Sequence, residues 1–326
     1  MKHVIIQDYG RMLGLTSERL VIRDNEQEKE IPLRRISTIT IQKPGISLSS
    51  NLLTACARHG IKVFIGHRAE EMCSLHGVAQ HAVVQNRIHQ FTFLANDQQK
   101  YRIARAFVYG KVRNQRATLL YFQKQRCSDA IKHISQQAAE ALGQLSEQIR
   151  NLGYNERWHS TLLGLEGQAA HTYWQALAKG QWLGDAFHGR VGRGATDAAN
   201  QALNYGYGIL TSVVWNALIN AGLEPYLGAL HTPRPGKPSL VLDMMEEYRP
   251  WVVDRNVIKL RGELSDGLLK PKTRQKLSQS VLATFESPIP YHGKRLRLES
   301  ALQRQCYRLC GMFADQYKYR PLLFKW

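Results

Sequence analysis

The chain has 326 residues, 44% apolar and 21% charged, with 44 Lys/Arg against 26 Asp/Glu and a formal net charge of +18. This composition excludes a disordered chain and allows one large or two ordinary domains, each with a real core. No apolar run approaches the roughly 18 residues of a membrane span, and no apolar leader follows Lys2, so a cytoplasmic protein is expected.

Taken in order, the first 66 residues read mostly as strands. Short β-rich runs at 4–6, 20–22, 36–41 and 63–65 are punctuated by Gly10, Asp24-Asn25 and Pro44-Gly45. One helix is predicted among them, from Ser49 or Ser50 to Arg58, closed by Gly60. Beyond His81 the apolar period becomes helical, over 83–94, 98–126, 128–152, 158–179, 197–222, 238–258 and 298–317. Pro250 should kink or break the sixth of these. The fold class expected is α+β, with a small, mainly-β domain at 1–80 and a larger all-helical domain at 81–326. Five scattered cysteines suit a reducing compartment. Cys306 and Cys310 lie one turn apart but lack the second pair of a zinc site.

The charge is uneven. Residues 1–80 hold 11 Lys/Arg and 8 Asp/Glu, whereas 81–127 hold nine basic residues and one acid, Asp97. A nearly neutral β domain can meet a copy of itself, which predicts dimerisation there. The basic remainder points to nucleic acid, through phosphate contacts and counterion release, although a basic enzyme without that partner has the same balance. Arg102, Arg105, Arg113 and Arg116 share one helical stripe, and few glutamates intervene to pair with them. A phosphate-facing helix is the reading favoured over a solvated face. Gly189 to Gly194, with Arg190 and Arg193, forms a flexible basic loop. It lacks the strand and the remaining glycine of a dinucleotide motif.

One cluster could carry chemistry. Asp243 and Glu246 are three apart and should share a helix face, where like charges repel unless a cation lies between them. His231 precedes a proline-rich loop that can fold back over that helix. Glu166 stands among apolar and small residues, where a lone carboxylate is costly to bury. Two carboxylates and an imidazole suit Mn²⁺ or Mg²⁺ rather than structural zinc. The same residues also fit a buried histidine, an acidic turn complementing a helix dipole, and a salt bridge from Glu166 to an arginine.

Four segments together resemble one family. Leu165-Glu166-Gly167-Gln168-Ala169-Ala170-His171-Thr172-Tyr173-Trp174 resembles the E-G-x-x-A-x-x-Y-W signature of the CRISPR-associated integrase family. Residues 200–207 resemble its N-x-x-L-N-Y-G-Y segment, 222–231 its G-L-x-P-x-x-G-x-L-H segment, and 238–250 its P-S-L-x-x-D-L-x-E-E-F-R-P segment, with Tyr248 in place of Phe. The resemblance implies the metal-dependent endonuclease and integrase of spacer acquisition in antiviral defence. Such an enzyme joins 3′-hydroxyl ends of short foreign DNA to the CRISPR repeat by transesterification. It implies Glu166, His231 and Glu246 as metal ligands and Asp243 as a further acid of the catalytic site, either a ligand or a helper. Lys237, Arg249 and Arg255 become candidates for phosphate contact. The implied partners are double-stranded DNA, a second copy in a homodimer, a small ferredoxin-like subunit and, in some members, a reverse transcriptase. A non-catalytic basic DNA-binding subunit and a free-standing structure-specific nuclease remain the alternatives.

Overall fold

The computed structural model describes residues 2–24, 27–66, 73–75, 77, 84–125, 128–264 and 267–324. Two four-stranded sheets come first. Strands β1 (Lys2–Ile6), β5 (Ile36–Ile41), β7 (Lys62–Ile65) and β8 (Cys73–Leu75) lie in that order, parallel except for the last pair. The second sheet runs β4 (Glu28–Pro32), β3 (Arg19–Arg23), β2 (Met12–Thr16), β6 (Ser47–Leu48). Helix α1 (Ser50–Arg58) begins where Ser49 accepts a hydrogen bond from the Leu52 amide, and it ends before Gly60 at φ +66°. Leu52, Ala55 and Cys56 of α1 join Val4, Leu13, Leu20, Ile39 and Val63 in one small core.

Helices follow: α2 (Val84–Ala95), α3 (Asp97–Gln123), α4 (Asp129–Asn151), α5 (Trp158–Lys179), α6 (Ala198–Asn220), α7 (Ser239–Met245), α8 (Arg255–Lys259), α9 (Pro271–Glu286) and α10 (Leu298–Phe313). A hairpin of β9 (Pro288–Tyr291) and β10 (Lys294–Arg297) separates the last two. The chain is thus α+β, strands first and helices after. The change expected at residues 80 and 81 falls outside the described residues. Helix α6 is apolar on nearly every face and correspondingly buried, so it forms the axis of the larger core. It also joins the two parts. Phe64 packs edge-on against Trp215, Thr40 donates to Ser212 at 3.3 Å, and Lys62 donates to Asn220 at 2.5 Å.

The helix predicted over 238–258 is divided. Helix α7 stops at Met245, and a wide π-helical turn, Arg249–Asp254, precedes α8. Pro250 has no N–H to give the ladder, and the widened turn absorbs that loss.

The C-terminal segment after α10 packs back onto α3 and α7. Trp251 and Phe324 stack at 4.8 Å with rings 5° apart. Glu247 accepts from the Tyr319 hydroxyl and, at 2.7 Å, from the Leu322 amide. Burial pushes the Glu247 carboxyl up to about 8 against the hydrogen bonds of Tyr319, Leu322 and Gln305. The folded state therefore keeps a proton that the unfolded chain releases near 4.5. Stability from this group is complete below that value and is lost as pH rises toward about 8. We expect the melting temperature to fall across this range, and thermal unfolding of Glu247→Gln to show a flatter pH dependence.

Candidate active site

Four elements meet around one lysine. Lys111 rises from the middle of α3, Glu166 from α5, and Glu246 follows the last residue of α7. His231 ends the loop that leads from α6 to α7. The Lys111 ammonium is ion-paired with Glu166 and, at 2.7 Å, with Glu246 Oε2. Arg249 Nη1 holds the other oxygen, Oε1, at 2.9 Å. Glu246 is 2% exposed, so this pairing decides its charge. Burial pushes its carboxyl up, but Arg249, Lys111 and His231 outweigh burial and hold it at about 2. Burial likewise opposes the Lys111 ammonium, which Glu246 and Glu166 keep charged with a raised pKa.

Asp243 meets this cluster at His231. The backbone stays helical through Glu246, whose amide donates to the Asp243 carbonyl at 3.3 Å, and the Asp243 carboxylate lies against the preceding loop. Its Oδ2 accepts from the Ala229 amide at 2.6 Å and the Leu230 amide at 3.0 Å. Its Oδ1 accepts from the His231 amide at 2.9 Å and from His231 Nδ1 at 2.7 Å. Four donors fill the four acceptor positions of a carboxylate. Asp243 therefore orients His231 and leaves its Nε2 as the nitrogen available for other contacts. His159 adds a second tether, with Nε2 2.8 Å from the Leu230 carbonyl oxygen.

Gly228 makes this cradle close. A Cβ there would lie 2.6 Å from Asp243 Oδ2 and 2.7 Å from the Ser239 carbonyl carbon. Gly228→Ala is expected to cost about 1–3 kcal/mol of stability, read by urea unfolding, because backbone must move to admit the methyl group.

Beyond Glu246 the cations continue. Arg249 and Arg190 both lie against the Tyr207 ring, at 4.9 and 5.3 Å from its centroid. Arg190 also donates to Asn200 at 3.1 Å and Asn204 at 2.6 Å, which fixes it. Tyr207 and Tyr173 donate to Asp254 at 2.6 and 3.1 Å. Burial raises Asp254 to about 6 against those two bonds and the charges of Arg190 and Arg249.

The remaining predicted residues are placed differently. Arg193 is exposed in its loop. Lys237 is half-buried in a turn bridged to Arg234, and Arg255 lies over the Trp251 ring. The stripe of Arg102, Arg105, Arg113 and Arg116 forms on one face of α3, each of the four half-buried and with a partner inside the molecule. Arg105 donates to the Leu152 carbonyl at 2.9 Å and Arg116 to the Ala139 carbonyl at 3.0 Å, pinning α3 to α4 and to its C-terminal cap. Arg102 bonds Gln99, and Arg113 bonds Tyr109.

Lys111 is the residue that the sequence reading passed over. It lies on the opposite face of α3 from the arginines, in line with Phe107, Val108, Asn114 and Gln115, all buried. A lysine within an apolar helical stripe was the available signal.

The donor set can be tested against a divalent ion. Glu166 and Glu246 come from separate elements and already converge on one cation, and the imidazole beside them has a carboxylate behind it. This is the oxygen-rich set, with an oriented histidine, that Mn²⁺ or Mg²⁺ takes. Among the described residues, no three His, Cys, Asp or Glu side chains stand in metal-holding geometry. The ammonium lies between the two glutamates instead.

A family model described as CRISPR associated protein Cas1 matches residues 4–281. A CRISPR-associated endonuclease Cas1 of Francisella tularensis subsp. novicida is 44% identical over 328 aligned residues, covering 100% of both chains. Among solved structures, a casposase bound to integration product has a TM-score of 0.81 at 20% identity, covering 100% of this chain and 95% of that one. A chain of a Cas6-RT-Cas1–Cas2 complex gives 0.79 at 21% identity, covering 99% of this chain and 36% of that one. At such identities the structures speak for the fold alone. The family model and the full-length relative speak for descent, and the chain belongs to the Cas1 family of CRISPR-associated proteins.

Proposed function

We propose that this protein is a divalent-metal-dependent DNA endonuclease and integrase of CRISPR adaptation. It joins the 3′-hydroxyl of a short foreign DNA to the CRISPR repeat by transesterification. One observation carries the reading: Glu166 and Glu246 converge on a single cation, beside a histidine oriented by Asp243. Glu166, Glu246 and His231 Nε2 are the groups that would hold Mn²⁺ or Mg²⁺. When bound, such an ion would lower the pKa of the attacking hydroxyl and neutralise charge on the phosphorane-like transition state.

The chain's own residues do the rest. Asp243 engages His231 Nδ1 and so leaves Nε2 for other contacts. Arg249, anchored on Glu246 and on the Tyr207 ring, brings a fixed cation to the scissile phosphate. Arg190 extends this charge along the same ring. Both guanidiniums are held before substrate arrives, so little reorganisation is needed when charge develops.

The relative named as an endonuclease, and the solved complex that joins Cas1 to Cas2, support DNA as substrate and a small Cas2-type subunit as partner. The RT in the name of that complex supports a reverse transcriptase as a further partner. We assign pairing of two copies to the strand-rich part, whose near-neutral charge permits it. No described helix is long and apolar enough to cross a membrane.

The test is strand transfer by the purified protein. It uses Mn²⁺, a repeat-bearing plasmid and short DNA duplexes, with and without the partner subunit. Metal-dependent joining of duplex ends to the repeat is expected. DNA binding without cleavage or joining would favour a non-catalytic subunit, and cleavage without joining a free-standing nuclease.

A further inference from the structure

We propose that Lys111 is the resident cation of the site: its ammonium neutralises Glu166 and Glu246 until a divalent ion takes both carboxylates, and it then pairs with the incoming DNA phosphate. The proposal rests on the metal reading above and adds an exchange step to it.

The geometry that carries it is the division of labour around Glu246. Arg249 holds Oε1 and is fixed on its other side by the Tyr207 ring. Among the described residues Lys111 alone bridges from Oε2 to the second carboxylate, Glu166. The bridging position is where an ion shared by Glu166 and Glu246 must sit. An ammonium and a divalent cation cannot occupy it together, because both need the same oxygens and each repels the other. Two carboxylates left in this partly enclosed place with Arg249 on Glu246 as their one compensating charge would be costly, so the lysine also helps the site to fold empty.

Displacement leaves the ammonium in difficulty. Its side chain is only 11% exposed, and Arg249 beside it disfavours its charge. An unpaired charge so placed needs a new anion. Lysine suits the move, since it carries a point charge on a four-carbon stem with rotatable bonds. The anion that enters with substrate is a phosphodiester. Metal and DNA should then assist one another: each relieves a cost of the other's binding, and the coupling must be reciprocal.

The experiment is calorimetric titration of Mn²⁺ into wild type, Lys111→Met and Lys111→Arg, each with and without a short DNA duplex. Without DNA, Lys111→Met is expected to bind Mn²⁺ about tenfold more tightly than wild type. Adding DNA should tighten Mn²⁺ binding in wild type and have little effect in Lys111→Met. Lys111→Arg keeps the charge and should bind Mn²⁺ no more tightly than wild type. If Lys111→Met does not fold in metal-free buffer, Lys111→Gln takes its place with the same expected gain. Equal Mn²⁺ affinity in wild type and the neutral variants overturns the exchange role and leaves the metal site standing. No Mn²⁺ binding by wild type at all overturns both.

Discussion

Replacing Glu166 or His231 by Ala should lower metal-dependent strand transfer at least about a thousandfold, since each removes one holder of a shared ion. The double variant should be little worse than either single one, because groups acting through one ion act as a unit. Both single variants should stay folded: Glu166 and His231 are partly exposed, and Lys111 keeps Glu246 as partner when Glu166 is lost. Glu246→Ala is different. It leaves Lys111 with Glu166 alone and takes the carboxylate from Arg249, so a loss of about 3–5 kcal/mol of stability should accompany the loss of activity. Glu246→Gln is the cleaner probe, keeping shape and hydrogen bonding without charge. Strand-transfer assays beside urea unfolding curves separate the two effects. Wild-type joining by both Glu166→Ala and His231→Ala would mean that the chemistry lies elsewhere.

Asn114→Ala should be among the most destabilising single changes outside the ion pairs. Asn114 is 1% exposed and serves three backbone groups. Its amide nitrogen donates to the Glu247 carbonyl at 2.7 Å and the Leu322 carbonyl at 2.8 Å, and its oxygen accepts from the Phe324 amide at 3.0 Å. Truncation orphans all three in a dry place, which should cost about 3 kcal/mol or more at roughly 1–3 kcal/mol for each unmade bond. The effect should reach the site as well. Asn114 lies one turn from Lys111 on α3, and its partner Glu247 adjoins Glu246, so the same bonds fix the spacing of the two elements that face each other across the ion pair. Denaturant unfolding reads the first effect, and Mn²⁺ affinity of the folded variant reads the second. A loss below about 1 kcal/mol would mean that water replaces the missing amide.

Much of the fold is legible in the sequence because its signals are local. Ser49 before α1 and Gly60 after it are such signals, and so is the long apolar run of α6. Local signals also explain what was missed. Strand β4, Glu-Lys-Glu-Ile-Pro, is an edge strand facing water, so no alternation marks it. Helix α9 has Pro271 at its first turn and Leu277, Val281 and Phe285 four apart, but polar residues dilute the pattern.

The site divides in the same way. Glu166, His231 and Glu246 sit in short motifs and are visible as such. Lys111 is 55 residues from Glu166, and only tertiary packing brings them together. The arginine stripe on α3 shows the reverse case. Helical phase placed the four side chains on one face correctly, but phase cannot name their partners. Arg116 and Arg105 bond the carbonyls of Ala139 and Leu152, through contacts no sequence spacing encodes. The role of Asp243 was hidden for a related reason. Spacing pairs Asp243 with Glu246, and only the fold of the preceding loop brings the amides of Ala229, Leu230 and His231 to its oxygens.

The most direct measurement is anomalous diffraction from crystals of the wild-type protein soaked in Mn²⁺. The account predicts a single strong peak bonded to Glu166, Glu246 and His231 Nε2, with Asp243 still hydrogen-bonded to the loop amides of Ala229 and Leu230. It also predicts that the Lys111 ammonium has left its place between the two glutamates. A peak bonded to Asp243, or none beside Glu166 and Glu246 with the ammonium unmoved, would contradict it.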